Sequence, residues 1–101
     1  MAHFFCRLIP PRPTFPFDMN ENEKALMGEH GKYWMGMCQE GTVLVYGPVM
    51  HPNGSFGMGI FEGADEAEIK RRTDADPVMK AGIGFKIEIS PMQAFTRESC
   101  A

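Results

Sequence analysis

His30 is the residue of this sequence best placed to do chemistry. It lies within Leu26 to Cys38, LMGEHGKYWMGMC, where Leu26, Met27, Tyr33, Trp34, Met37 and Cys38 recur at the spacing of one face of an α-helix. His30 is one turn from both Leu26 and Trp34, so a titratable ring is carried in that apolar stripe. An imidazole, with an ordinary pKa of about 6.5, takes up and returns a proton near neutral pH. No activated nucleophile, phosphate loop or metal cluster accompanies it. His3, His30 and His51 are scattered, and Cys6, Cys38 and Cys100 form no C-x-x-C pair. The reaction these residues permit is proton transfer on a small organic molecule, such as isomerisation or β-elimination next to a carbonyl. Tyr33, one turn on, is a candidate hydrogen-bond donor to a developing oxyanion. The competing reading makes His30 a hydrogen-bonded core group, with Tyr33 and Trp34 packed around it.

The elements that must position this ring follow from the pattern along the chain. Ala2 to Ile9 reads as a strand with Phe4, Cys6 and Leu8 on one face and Phe5, Arg7 and Ile9 on the other. Pro10 to Phe17, PPRPTFPF, holds four prolines and is expected to be a stiff extended connection. It presents Arg12, Phe15 and Phe17, either as cover for a core edge or as the wall of a pocket. The His30 helix opens at Asp18 or Asn20, each with a glutamate in capping-box position, and ends near Gly41. Thr42 to Val49 is a strand stopped by Pro48, and HPNGS at His51 to Ser55 is a hairpin signal. Phe56 to Glu62 returns as the antiparallel partner. A second helix is capped by Asp65 and runs to about Ala75. Asp76 can cap one further short turn, with Pro77 at its first position and Gly82 as its stop. Ile83 to Met92 alternates as a last strand, and Thr96 to Ala101 reads as a frayed tail.

The order β-α-β-β-α-β predicts a ferredoxin-like α+β domain over residues 1–95, a four-stranded antiparallel sheet with two helices on one face, followed by a short tail at 96–101. Phe5, Ile9, Tyr46 and Phe61, with Gly57 and Gly59, are expected on the other face as an apolar patch too large for a monomer. A homodimer with two sheets face to face would cover it. One hundred and one residues suit a single domain. A net charge of −3 offers no basic stripe for a phosphate backbone, so nucleic acid is not an expected partner. No apolar run is long enough to span a membrane, and no signal peptide is recognisable, so a cytoplasmic protein is expected. The odd cysteine count predicts reduced thiols without a redox role. Nine methionines fill a core or make a pocket plastic.

Taken together, the chain resembles the YCII-related (YciI-like) domain proteins. The resemblance rests on the early strand, Glu29-His30 with Tyr33-Trp34 in the first helix, Gly47-Pro48, the Gly57 and Gly59 strand, and Asp76-Pro77 with Lys80-Ala81-Gly82. It covers about residues 2 to 95. It implies a dimeric α+β barrel and an active-site pair of histidine and aspartate, here His30 and Asp76; no cofactor is expected, since no motif for one is present. Such a carboxylate would fix the tautomer of the ring and stabilise the imidazolium. Phe15, Tyr33, Trp34 and Tyr46 are the candidate substrate-binding side chains. Many relatives carry an acidic residue near the hairpin, where this chain has His51, which puts a hairpin contribution in question. Two functions follow: a cofactor-independent lyase or isomerase acting on a small-molecule substrate, or a non-catalytic dimeric domain that binds or senses a small ligand in the same cavity.

Overall fold

In the computed structural model, which describes residues 1–100, the elements are β1 (Ala2–Ile9), α1 (Phe15–Asp18), α2 (Glu21–Gln39), β2 (Val43–Val49), β3 (Phe56–Gly63), α3 (Glu66–Asp74), α4 (Pro77–Lys80), β4 (Lys86–Met92) and α5 (Arg97–Cys100). One antiparallel sheet has the order β2-β3-β1-β4. This is the ferredoxin-like α+β arrangement expected, with α2 and α3 as its main helices. Alternation in β1 buries Phe4, Cys6 and Leu8 on the helix side, and the register places Cys6 opposite Gly59 and Ile89. α2 begins where Asn20 accepts from the Glu23 N–H and Glu23 returns the bond to the Asn20 N–H, a complete capping box.

Small residues set the depth of this surface. A Cβ on Gly59 would stand 2.6 Å from the Trp34 ring and 2.9 Å from Phe61. The glycine therefore opens the sheet surface to the indole, which meets Phe61 edge-on at 5.2 Å between centroids. Around Trp34 lies one core cluster, with Phe4, Cys6, Met37, Val43, Phe61 and Ile69. A second joins Leu8, Phe15, Val78 and Phe85.

The structure corrects several expectations. The proline-rich connection is not extended throughout: Phe15–Asp18 forms one helical turn, because Pro16 occupies the first turn, where a missing N–H costs nothing. This turn buries Phe15 and leaves Phe17 86% exposed. Pro48 does not stop β2, which continues to Val49; as an edge strand it tolerates a residue that cannot donate. The last strand starts at Lys86 rather than Ile83, since its partner β1 ends at Ile9 and leaves nothing for Ile83 to Phe85 to pair with. Phe61 and Tyr46 are not on the uncovered face. Phe61 is fully buried under the helices, and Tyr46, opposite Gly59, packs against the same core. Register assigns the uncovered face Phe5, Ile9, Val45, Phe56, Met58 and Ile60 instead. The expected frayed tail contains the one-turn helix α5, while its last residue, Ala101, lies outside the described residues.

Gly59→Ala should destabilise the fold by about 1–3 kcal/mol, since the added methyl would lie within 3 Å of both the Trp34 and Phe61 rings. Gly28→Ala, on the exposed side of α2 with nothing near its Cβ position, should stabilise it by roughly 0.5–1 kcal/mol. Urea denaturation of the two variants would check both signs.

Candidate active site

The Asp76 carboxylate is where the two clusters meet. Asp76 is the N-cap of α4, and its Oδ1 accepts from the Val78 N–H at 3.0 Å. Its Oδ2 accepts from two donors on α2, His30 Nδ1 at 2.6 Å and Trp34 Nε1. Helical spacing makes this possible, since residues four apart lie on one face, and the two rings stand 5.1 Å apart. Asp76 is 1% exposed and the His30 side chain 14%. Burying a carboxylate is costly unless donors replace the lost water, and here three do so. Trp34 Nε1 is the donor that sequence reasoning missed. A tryptophan one turn from a histidine reads simply as core, and nothing in the pattern says where its N–H points.

His30 also lines a cavity of about 380 Å³ bounded by Phe15, Trp34, Tyr46, Met19, Met27 and Phe85, among others. With Nδ1 engaged, Nε2 is the ring nitrogen free to meet a molecule there. The structure thus brings His30, Asp76, Trp34, Phe15 and Tyr46 together. Tyr33 is not among them. Its hydroxyl donates to the Arg72 carbonyl at 2.7 Å, tying α2 to α3, and burial raises its pKa. Three residues on from His30, Tyr33 is offset by about 60° round the helix, to the side of α3, and does not line the cavity, so the oxyanion-donor expectation is corrected. His51 Nδ1 accepts from the Asn53 N–H inside its own turn and lines a separate shallow groove with Pro13 and Phe17.

The cavity's outer wall, Phe15, is held by a charged clamp. Arg12 makes a two-pronged contact with Glu23, both bonds at 2.8 Å, and donates through Nε to Asp18 at 2.8 Å. Glu23 is buried, and its pKa falls to about 2, first because of Arg12 and then because of the Asn20 N–H. The Asp18 carboxyl is also lowered, chiefly by the Thr14 hydroxyl. On the other side of the core, burial pushes the Cys6 thiol up to about 12, with the Glu66 charge adding to the effect, so it stays protonated and unreactive. Among the described residues no group of three or more His, Cys, Asp or Glu side chains could hold a metal ion, and no helix is long and apolar enough to cross a membrane.

A family model for the YCII-related domain matches residues 3–93. No curated protein matches the sequence. Among solved structures, the fold is similar to that of the 5-chloro-2-hydroxyhydroquinone dehydrochlorinase TftG of Burkholderia phenoliruptrix AC1100, in complex with 2,5-dihydroxybenzoquinone. The TM-score is 0.61 at 16% identity, over 94% of this chain and 97% of that one. At this identity the likeness is one of fold.

The clamp predicts a pH dependence. Glu23 has a lowered folded-state pKa, so its contribution to stability is fully present above its ordinary value of 4.5 and is lost as the pH falls toward about 2. Denaturation midpoints measured across that interval should drop in the wild type and drop less in Glu23→Gln, which has no charge to lose.

Proposed function

Since this chain belongs to the YCII-related domain family, we propose that it is a small-molecule enzyme of lyase or isomerase type, working without a cofactor, in which His30 moves a proton and Asp76 orients it. The observation that carries this reading is the 2.6 Å contact between His30 Nδ1 and Asp76 Oδ2 at the wall of an apolar cavity. With the carboxylate accepting, the neutral ring holds its proton on Nδ1 and presents the Nε2 lone pair to the cavity. Nε2 takes a proton from an acidic C–H or O–H of the substrate. The imidazolium that forms is neutralised by Asp76, and the same proton is returned at another atom, or is lost with a leaving group. A dehydrochlorinase of similar fold is a lyase-type precedent for the second course.

The reading of the chain as a dimeric binding or sensing domain keeps one observation in its favour: Tyr33, the expected second polar group, is spent on the Arg72 carbonyl. A metabolite retained through purification, without turnover, would select it. Either function is proposed for a homodimer. The uncovered sheet face supports this, with Val45 54% exposed and Arg7 lying over Phe56, its Nε without a hydrogen-bond partner.

Two measurements test the proposal. In ¹⁵N spectra of labelled histidine, the neutral His30 ring should be the Nδ1–H tautomer, and Asp76→Asn should abolish that preference. An Nε2–H tautomer in the wild type would sink the proton-transfer reading. For any compound the wild type turns over, His30→Ala should lower kcat/KM by about 10²–10⁴-fold. Separately, Ile60→Lys should shift the mass in sedimentation from two chains to one, because a buried unpaired ammonium opposes face-to-face packing.

A further inference from the structure

The cavity beside His30 has an unusual lining for a site in a chain of which nearly a quarter is charged. No Asp, Glu, Lys or Arg lines it. Two charged groups packed against lining residues are already paired. Asp76 is buried with both oxygens accepting, from His30, Trp34 and Val78. Arg12, which stands 5.3 Å from the Phe15 ring, is taken up by Glu23 and Asp18. Even a protonated His30 gives an anion no net attraction, since the imidazolium and the Asp76 carboxylate sum to zero. A carboxylate or phosphate entering here would lose its water and find no counter-charge, and an ammonium would find the Asp76 carboxylate shut behind the His30 and Trp34 rings.

What the lining does offer is ring surface and three polar side chains. Phe15, Trp34, Tyr46 and Phe85 supply aromatic faces and edges, and Met19 and Met27 supply thioethers, which make favourable contacts with rings. The polar side chains are Ser55, whose hydroxyl donates to Met50 Sδ, and His30 and Tyr46, whose Nε2 and hydroxyl have no hydrogen-bond partner among the described residues. His30 and Tyr46 flank Trp34, whose ring is 5.1 Å from the one and 6.0 Å from the other. A volume of about 380 Å³ is at the small end of ligand pockets. We infer that the site selects uncharged molecules of one or two rings bearing a hydroxyl or carbonyl, with Tyr46 as a specificity residue, and that it rejects acids, phosphates and amines. This rests on the reading that the cavity is where His30 acts.

Three probes that share a ring and differ in charge test the inference: 4-methylphenol, 4-methylbenzoate and 4-methylbenzylammonium. The readout is the indole N–H signal of Trp34, which is unambiguous because the chain has one tryptophan. The phenol should shift that signal saturably and bind at least about ten-fold more tightly than either ion. Tyr46→Phe should weaken the phenol by about five-fold, the loss of one hydrogen bond. The inference is overturned if either ion binds as well as the phenol, or if the phenol leaves the signal unmoved. An unchanged affinity in Tyr46→Phe removes that residue from the selection. Failure here is distinguishable from failure of the proposed function: ion binding beside an Nδ1–H His30 overturns this inference alone, whereas phenol selection beside an Nε2–H His30 overturns proton transfer alone.

Discussion

A carboxylate almost wholly removed from water is the constraint on which this structure turns. Asp76 must be satisfied where it lies, and its donors come from different places: a backbone N–H of the turn it caps and two ring N–H groups of α2. Breaking a buried charged contact costs several kcal/mol because it strands the remaining partner. The same three bonds therefore fix how α2 and α4 sit against each other. A cap that could have been a local matter becomes a joint between two core clusters.

The joint depends in turn on what lies beneath it. Trp34 reaches Asp76 because Gly59 leaves the sheet shallow under the indole and Phe61 meets it edge-on. On the outer side, Arg12 bridges Glu23 and Asp18 and keeps the turn bearing Phe15 against α2. The cavity is the space left between these devices, under α1 and beside the hairpin. Its apolar character follows in part from the same cause, since Asp76 and Arg12 are consumed in holding the walls. Structural and chemical roles thus fall on the same residues: Asp76 caps and orients, and Trp34 packs and donates.

Fold and site differ in how far they could be read from the chain. Alternation in β1, the capping box at Asn20, the caps at Asp65 and Asp76 and the order of elements were legible because they depend on neighbours within a few residues. Where two faces of a strand are both apolar, alternation cannot say which is inside, and for that reason Phe61 lies on the opposite side from the one expected. The proline-rich stretch misled in a similar way, since proline forbids a helix interior but not a first turn.

By itself the sequence determined the type and order of the six main elements, the placement of His30 on an apolar helix face, and a capping role for Asp76. Hydrophobic period and backbone hydrogen bonding are local, so a one-dimensional pattern carries them. Only the tertiary structure decided that Trp34 shares the Asp76 oxygen with His30, that Tyr33 faces α3, and that Arg12 is clamped rather than open to a ligand. Those outcomes join residues eleven to forty-six positions apart. They depend on the depth of the sheet and the rotation of α2 about its axis, which no short stretch of the chain encodes.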